Sequence, residues 1–127
     1  MTERKNRPMP TFVLLLHEDP ATFADVSPAE MQRIIEAYGA WAGRMAGQGR
    51  LAGGHKLTDD GGKRVRKEGG RVVVTDGPYL EAKDVIGGFF LIKAADYEEV
   101  ARLLEDCPAA QYGTVEVRQV DPLGQEG

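Results

Sequence analysis

Asp76 stands where the apolar run Val72-Val73-Val74 breaks into Asp76-Gly77-Pro78-Tyr79. A carboxylate at a strand end can act as a general base or hold a polar ligand, the more so if burial raises its pKa. The same aspartate can instead accept local backbone hydrogen bonds in an Asx-type turn, with Gly77 supplying unusual backbone angles and Pro78 stiffening the exit. His17, at the end of Phe12-Val13-Leu14-Leu15-Leu16, is the second candidate for catalysis. His55 comes within its reach if the first and second strands share a sheet edge. Tyr38 and Trp41 lie on the apolar stripe of a helix, where their polar tips can meet a ligand or their rings can simply pack. Glu116 and Arg118 project from one face of the last strand, as a solvated network or as a pocket wall. The candidate set is thus Asp76 and His17 for catalysis, with Tyr38, His55, Tyr79, Glu116 and Arg118 for binding.

Other chemistries find less support. Two histidines exclude a three-histidine metal site within one chain, and His17 beside Glu18 and Asp19 lacks tight ligand spacing, so no metal is expected. The glycine runs form neither a Walker nor a dinucleotide-binding pattern, and no cofactor is expected. Cys107 is the only cysteine, which rules out an intramolecular disulfide and favours a reducing, cytoplasmic setting. With no histidine beside it in sequence, it reads as a small buried residue rather than a nucleophile. The net charge is −4, so the chain as a whole does not attract nucleic acid or an anionic membrane. The basic run Lys63 to Lys67 lacks interleaved aromatics and reads as a charged edge strand. Phe12 to Leu16 is too short for a signal-peptide core or a membrane span.

These residues must be carried by regular elements. Phe12 to Leu16 reads as a strand buried on both faces. Ser27-Pro28-Ala29-Glu30 supplies an N-cap, a proline at the first helical position and a glutamate placed for a capping box. Met31, Ile34, Ile35, Tyr38, Trp41, Ala42 and Met45 then form an apolar helical stripe. Gly39, Gly43 and Gly47 lie beside it, one turn apart, where close approach by a backbone or a ligand can offset their cost. Arg50 to Leu57 reads as a strand bent at Gly53-Gly54. Lys63 to Lys67 and Arg71 to Thr75 form a hairpin across Glu68-Gly69-Gly70, its first strand exposed and its second buried-looking. Val85 to Ile92 is a central strand with a bulge or close contact at Gly87-Gly88. Asp96 caps a second helix, with Tyr97, Val100, Ala101 and Leu104 inward and Cys107-Pro108 at its close, and Thr114 to Val120 alternates as a final strand.

The order is a split β-α-β pattern with an inserted β-hairpin, an α+β, ferredoxin-like architecture with both helices on one face of an antiparallel sheet. Residues 11–121 make one domain, between an N-terminal tail at 1–10 and a C-terminal tail at 122–127. The apolar residues of strands 12–16 and 85–92 exceed what one sheet face needs, and burial against a second subunit in a homodimer accommodates them.

The chain resembles the YCII-related superfamily, and within it the branch named for an Asp-Gly-Pro-Phe (DGPF) motif. The likeness rests on Arg71 to Thr75, Asp76-Gly77-Pro78-Tyr79, Glu81, Lys83, Gly87-Gly88-Phe89 and Val115-Glu116-Val117-Arg118. It implies a ferredoxin-like fold that dimerises into an α+β barrel with a ligand cleft. It also implies either small-molecule binding or acid–base, lyase-like chemistry of a dehydrochlorinase-like kind. Better-studied relatives carry a proposed His-Asp pair, but by spacing from Gly49-Arg50-Leu51 those places are held by Tyr38 and Gly47. That pair does not carry over. Relatives of this branch are often encoded beside extracytoplasmic-function sigma factors, which makes a sigma factor a possible partner.

Overall fold

The computed structural model describes residues 9–77 and 84–125. Four strands, β1 (Thr11–Glu18), β2 (Leu51–Lys56), β5 (Val85–Lys93) and β6 (Thr114–Gln119), form an antiparallel sheet in the order β2-β5-β1-β6. Because β5 separates β1 from β2, the connection through helix α1 (Pro28–Gly47) is the crossover of a split β-α-β unit. Helices α2 (Tyr97–Leu103) and α3 (Pro108–Tyr112) close the second half, and a short α4 spans Pro122–Gln125. The fold is ferredoxin-like α+β. No helix among the described residues is long and apolar enough to cross a membrane.

Local chemistry sets the helix ends. The Ser27 hydroxyl accepts from the Glu30 amide at 3.1 Å, and Pro28 occupies the first turn. The expected capping box is only half built, because the Glu30 carboxylate accepts from Arg33 Nε at 2.9 Å instead. At α2, Asp96 accepts from the Glu99 amide at 2.8 Å while Glu99 accepts from the Ala95 amide at 2.7 Å and from Arg50 at 3.0 Å. These donors hold the Glu99 carboxyl below its ordinary pKa, the Ala95 amide foremost. Cys107 does not close α2, which ends at Leu103; it is the N-cap residue of α3, with Pro108 in the first turn.

The core lies between the sheet and the helices. Phe12 and Leu14 of β1, Ile92 of β5, Trp41 and Met45 of α1, and Val100 and Leu104 beside them form one buried cluster. Trp41 Nε1 donates to the Leu103 carbonyl at 2.8 Å, tying α1 to α2 while its ring packs 5.1 Å from that of Phe90. Ile35, expected inward, is mostly exposed. Among the described residues nothing lies within 4 Å of where a Cβ would sit on Gly39, Gly43 or Gly47, so no close approach there accounts for them.

Two further expectations are corrected. β1 is not buried on both faces of one chain: Phe12 and Leu14 are buried, whereas Val13 and Leu15 are only half-buried on the opposite, uncovered face. The strands β3 (Lys63–Glu68) and β4 (Arg71–Asp76) pair only with each other, as a separate two-stranded sheet. Val65, Val72 and Val74 are therefore exposed, and β4 is not the buried strand its composition suggested. A valine run reads as buried only when a second layer covers it, and the ribbon stands clear of the helices. Its turn uses Gly69 and Gly70 at φ 55° and 80°, the positive angles a two-residue hairpin turn requires.

Candidate functional site

The most enclosed candidate site is a cleft of about 810 Å³ between the amino-terminal half of α1 and the carboxyl-terminal end of β1. Side chains two apart on a strand share a face, so β1 brings Glu18 to the helical side together with Leu14 and Leu16. A 3₁₀ turn, Pro20–Phe23, follows at once; Asp19 caps it by accepting from the Ala21 amide at 2.9 Å, and Phe23 joins the cleft wall. From α1 come Met31, Ile34 and Tyr38, and from β5 comes Phe90. The walls are apolar, and only a few polar tips interrupt them.

Glu18 is the main interruption. β1 and β5 slip register between Leu16–Gly88 and His17–Ile86, which leaves Gly87 as the extra residue of a bulge. The Glu18 carboxylate rests there: a Cβ on residue 87 would lie 2.1 Å from Glu18 Oε1. Burial raises the Glu18 pKa, the Lys56 ammonium opposes that shift, and the Asp59 carboxylate adds to it. Lys56 is itself engaged, donating to the Leu57 carbonyl at 2.7 Å and to Asp59 Oδ1 at 3.0 Å. Burial pushes the Tyr38 phenol up to about 12, so it stays neutral. Neither Glu18 nor Tyr38 has a hydrogen-bond partner among the described residues. A carboxyl that can donate or accept according to its charge, and a neutral phenol, therefore share one apolar space.

On the opposite sheet face, at the same end of β1, His17 is held from both sides. Its Nδ1 lies 2.7 Å from Asp84 Oδ1 and its Nε2 lies 2.8 Å from Glu116 Oε1. Two carboxylate acceptors favour the doubly protonated imidazolium, and the His17 pKa is raised, chiefly by the Glu116 bond against an opposing burial effect. Gly113 permits this close packing of the end of β1 against the start of β6, since a Cβ there would meet the His17 carbonyl at 2.2 Å. Arg118 lies 3.6 Å from the second oxygen of Glu116. Among the described residues no group of three His, Cys, Asp or Glu side chains is placed to hold a metal ion.

This arrangement sits on a recognisable scaffold. A model of the YCII-related domain matches residues 11–123, nearly the whole chain. The chain belongs to the YCII-related family. It is similar to Uncharacterized protein R00369 of Rhizobium meliloti (strain 1021), with 26% identity over 110 residues that cover 84% of this chain and 89% of that protein. That relative's name states no activity, so the site of this YCII-related chain must be read from its own residues.

The expected residues fall into three groups. Tyr38 lines the cleft; His55 borders it, but its ring lies edge-on to Phe89 at 5.9 Å, on the sheet face that carries Leu15. His17, Glu116 and Arg118 gather on the other face of the sheet. His17 and His55 do not share an edge, because β5 runs between their strands, pairing His17 with Ile86 and His55 with Phe89. Asp76 stands apart on the ribbon, 82% exposed and paired with Lys63 Nζ, and it is not among the residues that line the α1–β1 cleft. Gly77 has no positive φ; it is glycine because a Cβ would lie 1.8 Å from the Gly61 carbonyl. Tyr79 and the rest of its turn through Lys83 lie outside the described residues. Sequence reading weighed Glu18 only as a metal partner and passed over Asp84, Lys56 and Phe23. The signal for Glu18 was present, since two-residue alternation from Leu14 and Leu16 puts a carboxylate on the buried face.

Proposed function

We propose that this YCII-related protein binds a small, largely apolar molecule in the cleft between α1 and the sheet, and works as a homodimer joined through the uncovered sheet face. The observation that carries the binding reading is a cleft of about 810 Å³ whose apolar walls hold two polar tips, Glu18 and Tyr38, without hydrogen-bond partners among the described residues. Both residues are only partly buried, and a few polar groups converging in an apolar pocket are what orient a ligand in a binding site. The dimer reading is supported by Val13 and Leu15 of β1, which stand opposite Leu91 and Phe89 of β5 as an apolar stripe left half-exposed in one chain.

Any acid–base chemistry centres on Glu18 and Tyr38, which share a cavity. Asp76 and His17 do not share one within a chain, and they join in catalysis only if a second copy brings the ribbon to the end of β1. Screening purified protein by NMR against a few hundred apolar fragments tests the binding reading. Saturable shifts at Tyr38 and Phe90 are expected, and none across the set overturns it. Sedimentation velocity on the protein and on Leu15→Lys tests the dimer: a dimer that dissociates in the variant is expected, and a monomeric parent protein refutes it.

A further inference from the structure

The proposed cleft also carries information about the charge of its ligand. Its titratable lining groups are Glu18 on β1, Lys56 and His55 on β2, Asp59 after β2, and Tyr38 on α1. Lys56 and Asp59 neutralise one another at 3.0 Å, and a second Lys56 contact goes to the Leu57 carbonyl. Tyr38 is uncharged, and β5 contributes Gly87, Gly88 and Phe90 but no ionisable group. Glu18 is the one charge in the lining without an ion-pair or hydrogen-bond partner among the described residues. It is seated on the Gly87 bulge, where the missing Cβ makes room for the carboxylate.

The rings around it suit the same ligand. Phe23, Tyr38 and Phe90 line the cavity, and aromatic faces attract cations while presenting apolar surface to a hydrocarbon body. An anionic ligand would meet Glu18 as a like charge in a partly desolvated space, and a neutral one would leave its negative charge uncompensated. We infer that the cleft is built for an amphiphilic monocation, an aliphatic or aromatic amine whose ammonium group donates to Glu18 while its apolar body lies among Phe23, Ile34 and Phe90. This rests on the small-molecule reading above and assigns the ligand's charge class.

Three size-matched probes separate the two ideas: phenethylamine, 2-phenylethanol and phenylacetate, each titrated into the full chain near neutral pH and followed by NMR shifts in the cleft. Phenethylamine should bind about 10-fold more tightly than the alcohol, the scale of an ammonium–carboxylate pair over a hydroxyl donating to the same carboxylate. Phenylacetate should bind weakest. Glu18→Gln should abolish the preference for the amine over the alcohol, and an unchanged urea midpoint is the control that the variant is folded. Amine affinity should fall as the pH drops and Glu18 protonates. Alcohol or phenylacetate binding as tightly as the amine overturns the charge assignment and leaves the binding reading standing. No binding by any probe, together with failure of the fragment screen, overturns both.

Discussion

Replacing Gly87 with alanine should expel Glu18 from its seat without unfolding the protein. The added Cβ would lie 2.1 Å from Glu18 Oε1, 2.5 Å from its Cδ and 3.1 Å from Oε2. Ordinary carbon–oxygen contact needs about 3.4 Å, so the carboxylate must retreat by about 1 Å or more. The obstacle is the far end of a flexible side chain that holds no hydrogen bond among the described residues, so rotation relieves it. Gly87 is not in the left-handed region, and alanine incurs no backbone strain there. Crowding of a packed site costs about 1–3 kcal/mol, while restricting the unfolded chain returns about 0.4–1 kcal/mol. The expected net loss is about 1 kcal/mol, read as a lower urea midpoint with unchanged slope. The more specific consequence is electrostatic: once displaced toward water, the Glu18 carboxyl should titrate nearer the ordinary carboxylate range, and amine binding should weaken about 10-fold. A loss above about 3 kcal/mol, or a Glu18 titration identical to that of the parent protein, would refute the seating of this side chain on the bulge.

Other perturbations test other parts of the account. Trp41→Phe should cost about 1–2 kcal/mol through the lost bond to the Leu103 carbonyl, and Trp41→Ala about 3–5 kcal/mol, both measured by urea denaturation with circular dichroism. The raised His17 pKa means that the folded state binds that proton more tightly than the unfolded chain. Its stabilisation is therefore complete below the unfolded histidine value and is lost as pH rises through the folded one. Urea midpoints across that interval should decline more for the parent protein than for His17→Asn, and parallel curves would contradict the two-carboxylate clamp. Asp76→Asn breaks only an exposed, solvent-screened pair with Lys63, so the urea midpoint should not change measurably. Cleft binding should persist in that variant; its loss would place Asp76 in the site through a second copy.

What could be read from sequence was what depends on near neighbours. Ser27-Pro28 and Asp96 mark helix starts because caps are satisfied within three residues, and Gly69-Gly70 marks a turn because of its own backbone angles. Gly87-Gly88 was legible as a bulge or close contact, though not what fills it. The order of elements was enough for the split β-α-β fold. Readings that depend on what lies across space fared worse. Val72 to Val74 look like a core strand, yet β4 pairs only with β3 and is left exposed. Gly39, Gly43 and Gly47 resemble a packing groove but face open space. His17 and His55 both lie near strand ends, but only the strand order reveals that β5 separates them. Among the site residues, Tyr38 was found because it lies on the helix's apolar stripe. Glu18 was undervalued because burial of a carboxylate depends on a register slip in a strand about seventy residues away.

The proposal that Glu18, seated on the Gly87 bulge and without a partner among the described residues, takes a cationic ligand is tested directly by its ionisation. Following the Glu18 side-chain carboxyl carbon by ¹³C NMR against pH, alone and with phenethylamine present, should show a pKa above the ordinary glutamate range in the free protein. Adding the amine should lower it. A free-protein value at or below the ordinary range, unmoved by saturating amine, would contradict the account.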